Sequence, residues 1–566
     1  MADSPPKGLD RGLTQYGDAE FARYLRRSFA RSMGYSSDAL DRPVIGIADS
    51  GSDFNNCHRH LPELVAAVKR GVLAAGALPL EFPTVSLGEA FLHPTSMMFR
   101  NLMAMDVEEM VRAQPMDAVV LVGGCDKTVP AQLMGAFSAG VPAIQLVAGP
   151  MSTGRYRGER LGACTDCRRH WGRFRGGEID RDEIDRIEGN LATTAGTCAV
   201  MGTASTMACI VEAMGMMLPG AATIPAVHAD RLRAAEATGA QAVQLARARL
   251  APSQIVDERS IDNALRVLLA IGGSTNAVIH LTAIAGRLGI RIDGKRLNAL
   301  SDTTPVLVDL KPTGAHYMED LNAAGGLPAL MREIADLLHL DCPTVTGRTL
   351  GENLQQMPAW ADPQIVRPRA QPLQKEGGLI ALYGSLAPNG ALLKRGAADS
   401  RLFEHTGRAV VFDSLEDMAA RIDSPDLDVA ADDVLVLRNA GPRACGMPEA
   451  GYLPIPAKLA RAGVRDMLRL SDARMSGTAY GTVILHASPE AAIGGPLALA
   501  ASGDRIRLSV SERRIDLLVD EAELAQRRAR WKPPPPYADR GYRKLYHDHV
   551  LQAEDGCDFD FLRSAG

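Results

Sequence analysis

Along the first 150 residues, short unbroken apolar runs alternate with apolar positions at helical spacing. Residues 43–48 form one such run and stop at polar turn residues. Over 60–75, Leu61, Leu64, Val65, Val68 and Val72 recur at intervals that place them on one helix face. Pro62 suits the first turn of that helix and Gly76 its end. The same reading predicts strands over 80–86, 117–122 and 142–148, and helices over 95–114 and 130–139. A βαβαβαβ order implies a parallel sheet covered by helices. Ligands of such sheets bind beyond the carboxyl ends of the strands.

Helical periodicity returns over 260–270, 275–288 and 326–340, and residues 355–374, rich in Pro and Gln, read as a linker. Short strand-like runs then follow at 378–383, 409–412, 434–438, 482–486, 505–510 and 515–519. Their spacing predicts a β-rich, barrel-like unit. The expected organisation is an α/β domain with a parallel sheet over 1–375, then a β-barrel-like domain over 376–566. A proline run at 533–536 opens an extended tail that continues through 542–562, and no internal repeat is visible.

Composition narrows the picture. A chain of 566 residues, 46% hydrophobic, can bury a large core in more than one domain. A net charge of −5 gives no reason to expect a nucleic-acid partner. The first residues lack a basic head followed by an apolar stretch, so no secretory leader is expected. The apolar stretch 198–226 is interrupted by Glu212 and Pro219 and reads as buried helix, not membrane span. Nine cysteines, an odd number in a large chain, argue against a disulfide framework and for the cytoplasm.

Three of those cysteines carry the strongest chemical signal. Cys57, Cys125 and Cys198 each sit where a polar or glycine-rich turn runs into an apolar, helix-like segment. A thiolate is a soft metal ligand, and helix N-termini favour it over the thiol. Three such turns suit an iron–sulfur cluster with one iron position left open, where full cysteine ligation would close it. An open iron is a Lewis acid that can draw a hydroxyl off a substrate.

Cys125 leads directly into Asp126 and Lys127 after a Gly-Gly turn, so one loop offers soft and hard donors together. Glu89 and Glu449 each follow an expected strand and a glycine-containing loop. Alone such acids are usually surface residues; with Asp126 they make an oxygen-rich set suited to Mg²⁺. The segment 471–478 ends in Ser476-Gly477-Thr478, a small turn that presents hydroxyls. The single CxxC, Cys164 and Cys167, has no second CxxC to complete a zinc site and is expected not to ligate. Cys209, Cys342, Cys445 and Cys557 read as packing or surface cysteines. Gly272-Gly273-Ser274-Thr275-Asn276 resembles a phosphate-cradling turn without the Walker lysine, which leaves a helix N-terminal site for a substrate anion.

Taken in order, the segments 124–128, 196–198, 272–276, 438–442 and 470–477 resemble the dihydroxy-acid and sugar-acid dehydratases over almost the whole chain. The ending, 541–546 with 556–562, is similar to the branch that acts on sugar acids, such as arabinonate and xylonate. The resemblance implies a hydro-lyase that dehydrates a pentonate or hexonate to a 2-keto-3-deoxy acid. It implies Cys57, Cys125 and Cys198 as cluster ligands, [2Fe–2S] in preference to [4Fe–4S]. It implies Mg²⁺ on Glu89, Asp126, Glu449 and a carbamylated Lys127. It implies Ser476 as the base supported by Thr478, and a homodimer or homotetramer that binds neither membrane nor nucleic acid. The loop 441–449 is shorter than in the pentonate branch, which bears on the substrate. The nearest alternatives are the dihydroxy-acid dehydratase of branched-chain amino-acid synthesis and a non-catalytic iron–sulfur protein.

Overall fold

The computed structural model describes residues 7–13 and 15–564; the stretch 1–6, part of the start read for a leader, lies outside them. Four strands, β1 (Val44–Asp49), β2 (Leu78–Pro83), β3 (Ala118–Gly123) and β4 (Ala143–Val147), form the amino-terminal sheet. They pair in the order β2-β1-β3-β4, all parallel. The apolar runs become these strands because both faces of the sheet are covered. Val119, Val120, Leu121 and Val122 are wholly buried, each contributing about 1.5–3 kcal/mol relative to exposure. Helices Leu61–Ala74 and Ala229–Ala248 pack on each other and on the sheet, and helices Ser96–Ala113 and Thr128–Ala139 form a second pair that meets it. The stretch 198–226 is indeed buried around helix Thr203–Ala213, and no helix among the described residues is long and apolar enough to cross a membrane.

A short ribbon, β5 (Gly154–Tyr156) and β6 (Glu159–Leu161), precedes the mostly helical middle of the chain. The Pro- and Gln-rich stretch is irregular but not free. Arg367 N–H donates to the Leu307 carbonyl at 2.8 Å and Leu373 N–H to that of Val306 at 2.9 Å, fixing it to the amino-terminal body.

The carboxyl-terminal sheet has eight strands: β7 (Ile380–Leu382), β8 (Gly390–Leu393), β9 (Glu404–Phe412), β10 (Val434–Leu437), β11 (Arg469–Ser471), β12 (Val483–Ser488), β13 (Arg505–Ser509) and β14 (Arg514–Leu517). Their order is β14-β13-β9-β10-β11-β12-β8-β7. The ends nearly meet: Tyr383 bridges Arg514, with Ile515 N–H donating to the Tyr383 carbonyl at 2.9 Å, so the sheet curls into a barrel-like form. The four central strands, β9 to β12, run parallel, a detail the spacing of short runs did not disclose.

The tail returns to the amino-terminal body. Arg100 donates to the carbonyls of Gly556 and Cys557, each at 2.8 Å, and Arg287 pairs with Asp558 at 2.7 Å. Tyr546 and Phe559 are buried against Met97, Met98 and Met447. These contacts clamp the helix Ser96–Ala113, whose first residue, Ser96, hydrogen-bonds Glu89.

Candidate active site

All four ends of the parallel sheet feed one cavity. Cys57 lies in the short helical turn Asn56–His58 beyond β1, Glu89 in the loop beyond β2, and Cys125 directly beyond β3. Cys198 is held against the extension of β4, because Thr197 N–H donates to the Gly149 carbonyl at 2.9 Å and Met151 N–H to that of Thr197 at 2.8 Å. The turn before Cys125 needs glycine: a Cβ on Gly124 would stand 2.4 Å from the Ala148 Cβ. His58, which the sequence reading passed over, fixes the same turn. Its Nε2 accepts from the N–H groups of Gly124 at 2.9 Å and Cys125 at 3.0 Å, and its Nδ1 faces the Ser50 carbonyl at 2.8 Å. Burial pushes His58 down to about 4, keeping it the neutral acceptor this turn requires.

The cavity, of about 620 Å³, brings together Cys57, Cys125, Cys198, Glu89, Asp126, Glu449, Ser476 and Thr478. A fourth thiol joins them: Cys164 Sγ lies 3.5 Å from Cys198 Sγ. The hydrogen bond with Cys125, together with burial, holds the Cys57 thiol well up, and Cys164 does the same to Cys198. Cys167 sits beside Cys164, its thiol donating to the Cys164 carbonyl at 2.6 Å and lying against the Cys164 thiol.

The acids form the second half of the site. Glu89, Asp126 and Glu449 each present an oxygen within 4.8 Å of the others. Lys127, fully buried, sits among them, with Nζ 2.9 Å from Glu89, 3.4 Å from Asp126 and 4.0 Å from Glu449. Arg474, also fully buried, donates from Nη1 to Glu449 at 2.5 Å and from Nη2 to Glu89 at 2.8 Å. Burial alone would raise the Glu89 carboxyl, but Arg474 and Lys127 outweigh it and hold it well below the usual range. Asp126 and Glu449 are raised, by burial first and by the charge of Glu89. Three acids against two cations leave one negative charge uncompensated, so the site has the oxygen donors and the charge to accept a divalent cation.

Ser476 stands opposite the acids on the loop after β11. Its Oγ is 2.8 Å from Thr478 Oγ1, and the Thr478 N–H points at it from 3.4 Å. The segment 272–276 holds this loop from behind and is no anion cradle in the cavity. Asn276 Nδ2 donates to the Met475 carbonyl at 3.0 Å, Ser274 lies under Gly477, and Ser274, Thr275 and Asn276 are all buried. Lys394, buried with no acidic partner among the described residues, donates to the Gly477 carbonyl at 3.3 Å, and burial pushes it down to about 7. Asp472 accepts from the N–H groups of Ala440 and Ala491, each at 3.0 Å, tying the loops beyond β10 and β12 to the same strand end.

Two family models match the chain. The dihydroxy-acid/6-phosphogluconate dehydratase N-terminal model covers residues 42–353, and the corresponding C-terminal model covers 364–557. A 6-deoxy-6-sulfo-D-gluconate dehydratase of Pseudomonas putida is 47% identical over 93% of this chain and 91% of its own length. An L-arabinonate dehydratase of Rhizobium leguminosarum bv. trifolii is 44% identical over 97% and 95%. A dihydroxy-acid dehydratase of Syntrophobacter fumaroxidans is 39% identical over 94% and 96%.

Proposed function

The chain belongs to the dihydroxy-acid/6-phosphogluconate dehydratase family and is a hydro-lyase, and from that premise we propose that it dehydrates a sugar acid, an aldonate of five or six carbons, to a 2-keto-3-deoxy acid. The observation that carries this reading is one cavity holding a set of thiols, a set of acids and a paired Ser476–Thr478. The relatives named for sugar acids stand at 44–47% identity, above the dihydroxy-acid dehydratase at 39%.

The donors fit two inorganic groups. Cys57, Cys125 and Cys198 are the soft donors that would hold an iron–sulfur cluster, [2Fe–2S] by the sugar-acid assignment. Glu89, Asp126 and Glu449 are hard oxygen donors that suit Mg²⁺. Lys127 completes the oxygen set once its amine has taken up CO₂, because a carbamate supplies oxygen and removes the ammonium charge that would repel a cation. When bound, the two groups supply Lewis acidity to the substrate's carboxylate end and to its departing hydroxyl.

The residues of this chain then have separate tasks. Ser476 Oγ, deprotonated, takes the proton from C2. A serine hydroxyl serves as a base only where adjacent positive charge lowers its pKa. Thr478 Oγ1 hydrogen-bonds that oxygen and orients it. Arg474 keeps Glu89 ionised and spans Glu89 and Glu449. The C2 proton and the C3 hydroxide leave as water, and the enol becomes the 2-keto acid with a methylene at C3. Leu92, Met151 and Leu415 make part of the cavity wall apolar, which favours a second reading, a branched-chain dihydroxy acid.

The deciding experiment is turnover of a panel of aldonic acids and dihydroxy-isovalerate by anaerobically purified protein with Mg²⁺, detecting 2-keto products. Selective turnover of a pentonate or hexonate supports the proposal. Turnover of dihydroxy-isovalerate alone replaces it with the second reading. A homodimer or homotetramer is part of the proposal, supported by Phe21, Tyr24 and Phe29 exposed on the helix Ala19–Ser32; light scattering tests it. A cytoplasmic location is supported by nine unpaired cysteines.

A further inference from the structure

Four arginines lie on the helix Thr165–Arg175, and three of them are paired with acids. Arg169 meets Asp166 at 3.1 Å, Arg173 meets Glu178 at 3.4 Å and Arg175 meets Asp423 at 2.6 Å. Arg168 has no acidic partner among the described residues, and its Nε is buried without a hydrogen bond. It is also the one lysine or arginine among the described residues that line the cavity. A guanidinium carries its N–H donors in a planar fork and suits oxygen acceptors.

The start of this helix is fixed, and it turns Arg168 inward. Thr165 Oγ1 donates to the Thr478 carbonyl at 2.9 Å, tying the helix to the Ser476 loop. Asp166, buried, is anchored by the Gly162 N–H at 2.8 Å and by Lys311 and Tyr317, each at 2.9 Å. Arg168 lies four residues beyond Cys164, on the same helix face, and both side chains reach the cavity. Tyr452, on the loop after Glu449, covers the guanidinium, its ring centroid 5.3 Å from Arg168 Cζ. Such stacking occupies the flat face of the guanidinium and leaves its N–H edge for an acceptor.

The place of Arg168 in the cavity decides which part of a substrate it meets. The cations that act on Glu89, Asp126 and Glu449 are Lys127 and Arg474. The Arg168 charge acts instead on the thiol side, at Cys164 and Cys167. With C1 and C2 at the acids and Ser476, and C3 toward the thiols, the rest of a carbon chain continues to the side where Arg168 stands. Leu92, Met151 and Leu415 offer that chain no side-chain hydrogen bond; Arg168 offers several. We propose that Arg168 is the specificity-determining residue for the far end of the substrate. It donates hydrogen bonds to the oxygens carried beyond C3 and so selects a polyhydroxy acid over one with an alkyl end. The inference rests on the sugar-acid reading given above.

The test uses the full-length protein, purified anaerobically with Mg²⁺, as wild type, Arg168→Met and Arg168→Lys. Met keeps an apolar stem and removes the donors. kcat and KM are measured on the aldonate that wild type turns over best and on dihydroxy-isovalerate, and iron and sulfide are quantified. The proposal expects Arg168→Met to keep its iron and sulfide and to lose about 10–100-fold in kcat/KM on the aldonate, mostly through KM, as loss of a charged hydrogen bond does. Turnover of dihydroxy-isovalerate, whose far end carries no oxygen, does not fall, and Arg168→Lys recovers part of the aldonate loss. An aldonate kcat/KM in Arg168→Met within about twofold of wild type overturns the proposal. So does an equal fold loss on both acids, or a loss confined to kcat, because either places Arg168 at the reacting carbons or in the packing. Wild type that turns over no aldonate overturns the sugar-acid reading itself, and this inference with it.

Discussion

Arg474 donates to Glu89 at 2.8 Å across 385 residues of chain, joining the loop after β11 to the loop after β2. The same guanidinium reaches Glu449 at 2.5 Å, so one side chain sets the spacing of two acids carried by different sheets. Both sheets contribute their strand ends to the cavity, and Arg474 is a direct bond between them. Truncating one partner of a buried ion pair costs about 3–5 kcal/mol, because the remaining charges are left unpaired. Arg474→Ala is therefore expected to lower the unfolding free energy measured in urea by an amount of that order, with a lower midpoint. Arg474→Lys restores only part, since an ammonium cannot fork between two carboxylates. An unchanged midpoint in Arg474→Ala would remove Arg474 from this role.

Ser476 and Thr478 separate under mutation if the first takes the proton and the second orients it. Ser476→Ala is expected to lower kcat at least about 100-fold, the low end for loss of a positioned base, with the visible absorbance of the cluster retained. Thr478→Val removes one hydrogen bond to a charged oxygen, about 1.5 kcal/mol at the low end for such bonds, and lowers kcat roughly tenfold. Equal losses in the two variants, or near-normal turnover in Ser476→Ala, would refute the assignment.

Gly477 links chemistry to packing. A Cβ there would lie 2.7 Å from the Ser274 side chain and from the Thr203 N–H nitrogen. Neither neighbour can retreat easily: Ser274 Oγ is 2.9 Å from Thr203 Oγ1, and Asn276 holds both Thr203 and Met475. Gly477→Ala is expected to destabilise by about 1–3 kcal/mol, as overpacking does, and to displace the Ser476 loop enough to reduce turnover without loss of iron. Normal kcat in a fully folded Gly477→Ala would show that the loop tolerates the shift.

Much of this was legible in the chain, for physical reasons that also mark the limits. Strands β1, β3 and β4 were visible because a parallel sheet buried on both faces is written as unbroken Val, Ile and Leu runs. Strand β11 was missed: it opens on Arg469, an unexpected strand residue, buried here because Asp466 pairs with it at 2.6 Å. Strand β8 is too short to show a period. The cavity residues Cys57, Cys125, Cys198, Glu89, Asp126, Lys127, Glu449 and Ser476 were found from local turn chemistry and the resemblance, and the fold brings them together. Cys164 was set aside because a lone CxxC offers no metal-binding spacing; its nearness to Cys198 exists only in three dimensions. Arg474 stood in a motif already noted, but nothing local says that a cation belongs between two acids. The segment 272–276 offered a glycine-rich turn before a helix, and the same turn serves equally to pack against a loop, which is what it does here.

Glu212 gives the last prediction, one of stability alone. It lies in the helix Thr203–Ala213, buried, and accepts from the N–H groups of Gly220 at 2.7 Å and Ala222 at 2.8 Å. Burial raises its carboxyl from an ordinary 4.5 to about 7, against the opposing pull of those two donors and Arg231. A carboxyl raised in the folded state binds more protons there than in the unfolded chain throughout this window. Its contribution to stability is therefore complete below about pH 4.5 and is lost as pH rises to about 7. Gln in its place does not titrate, but it loses one of the two acceptor bonds at every pH. Wild type is thus expected to lead Glu212→Gln most at about pH 5, and that lead should shrink toward pH 8 by up to about 3 kcal/mol. Urea unfolding of both proteins across pH 5–8 measures the difference directly, and the variant cancels every other titrating group. Parallel stability curves would mean that Glu212 stays ionised throughout, held by its two backbone donors against the cost of burial.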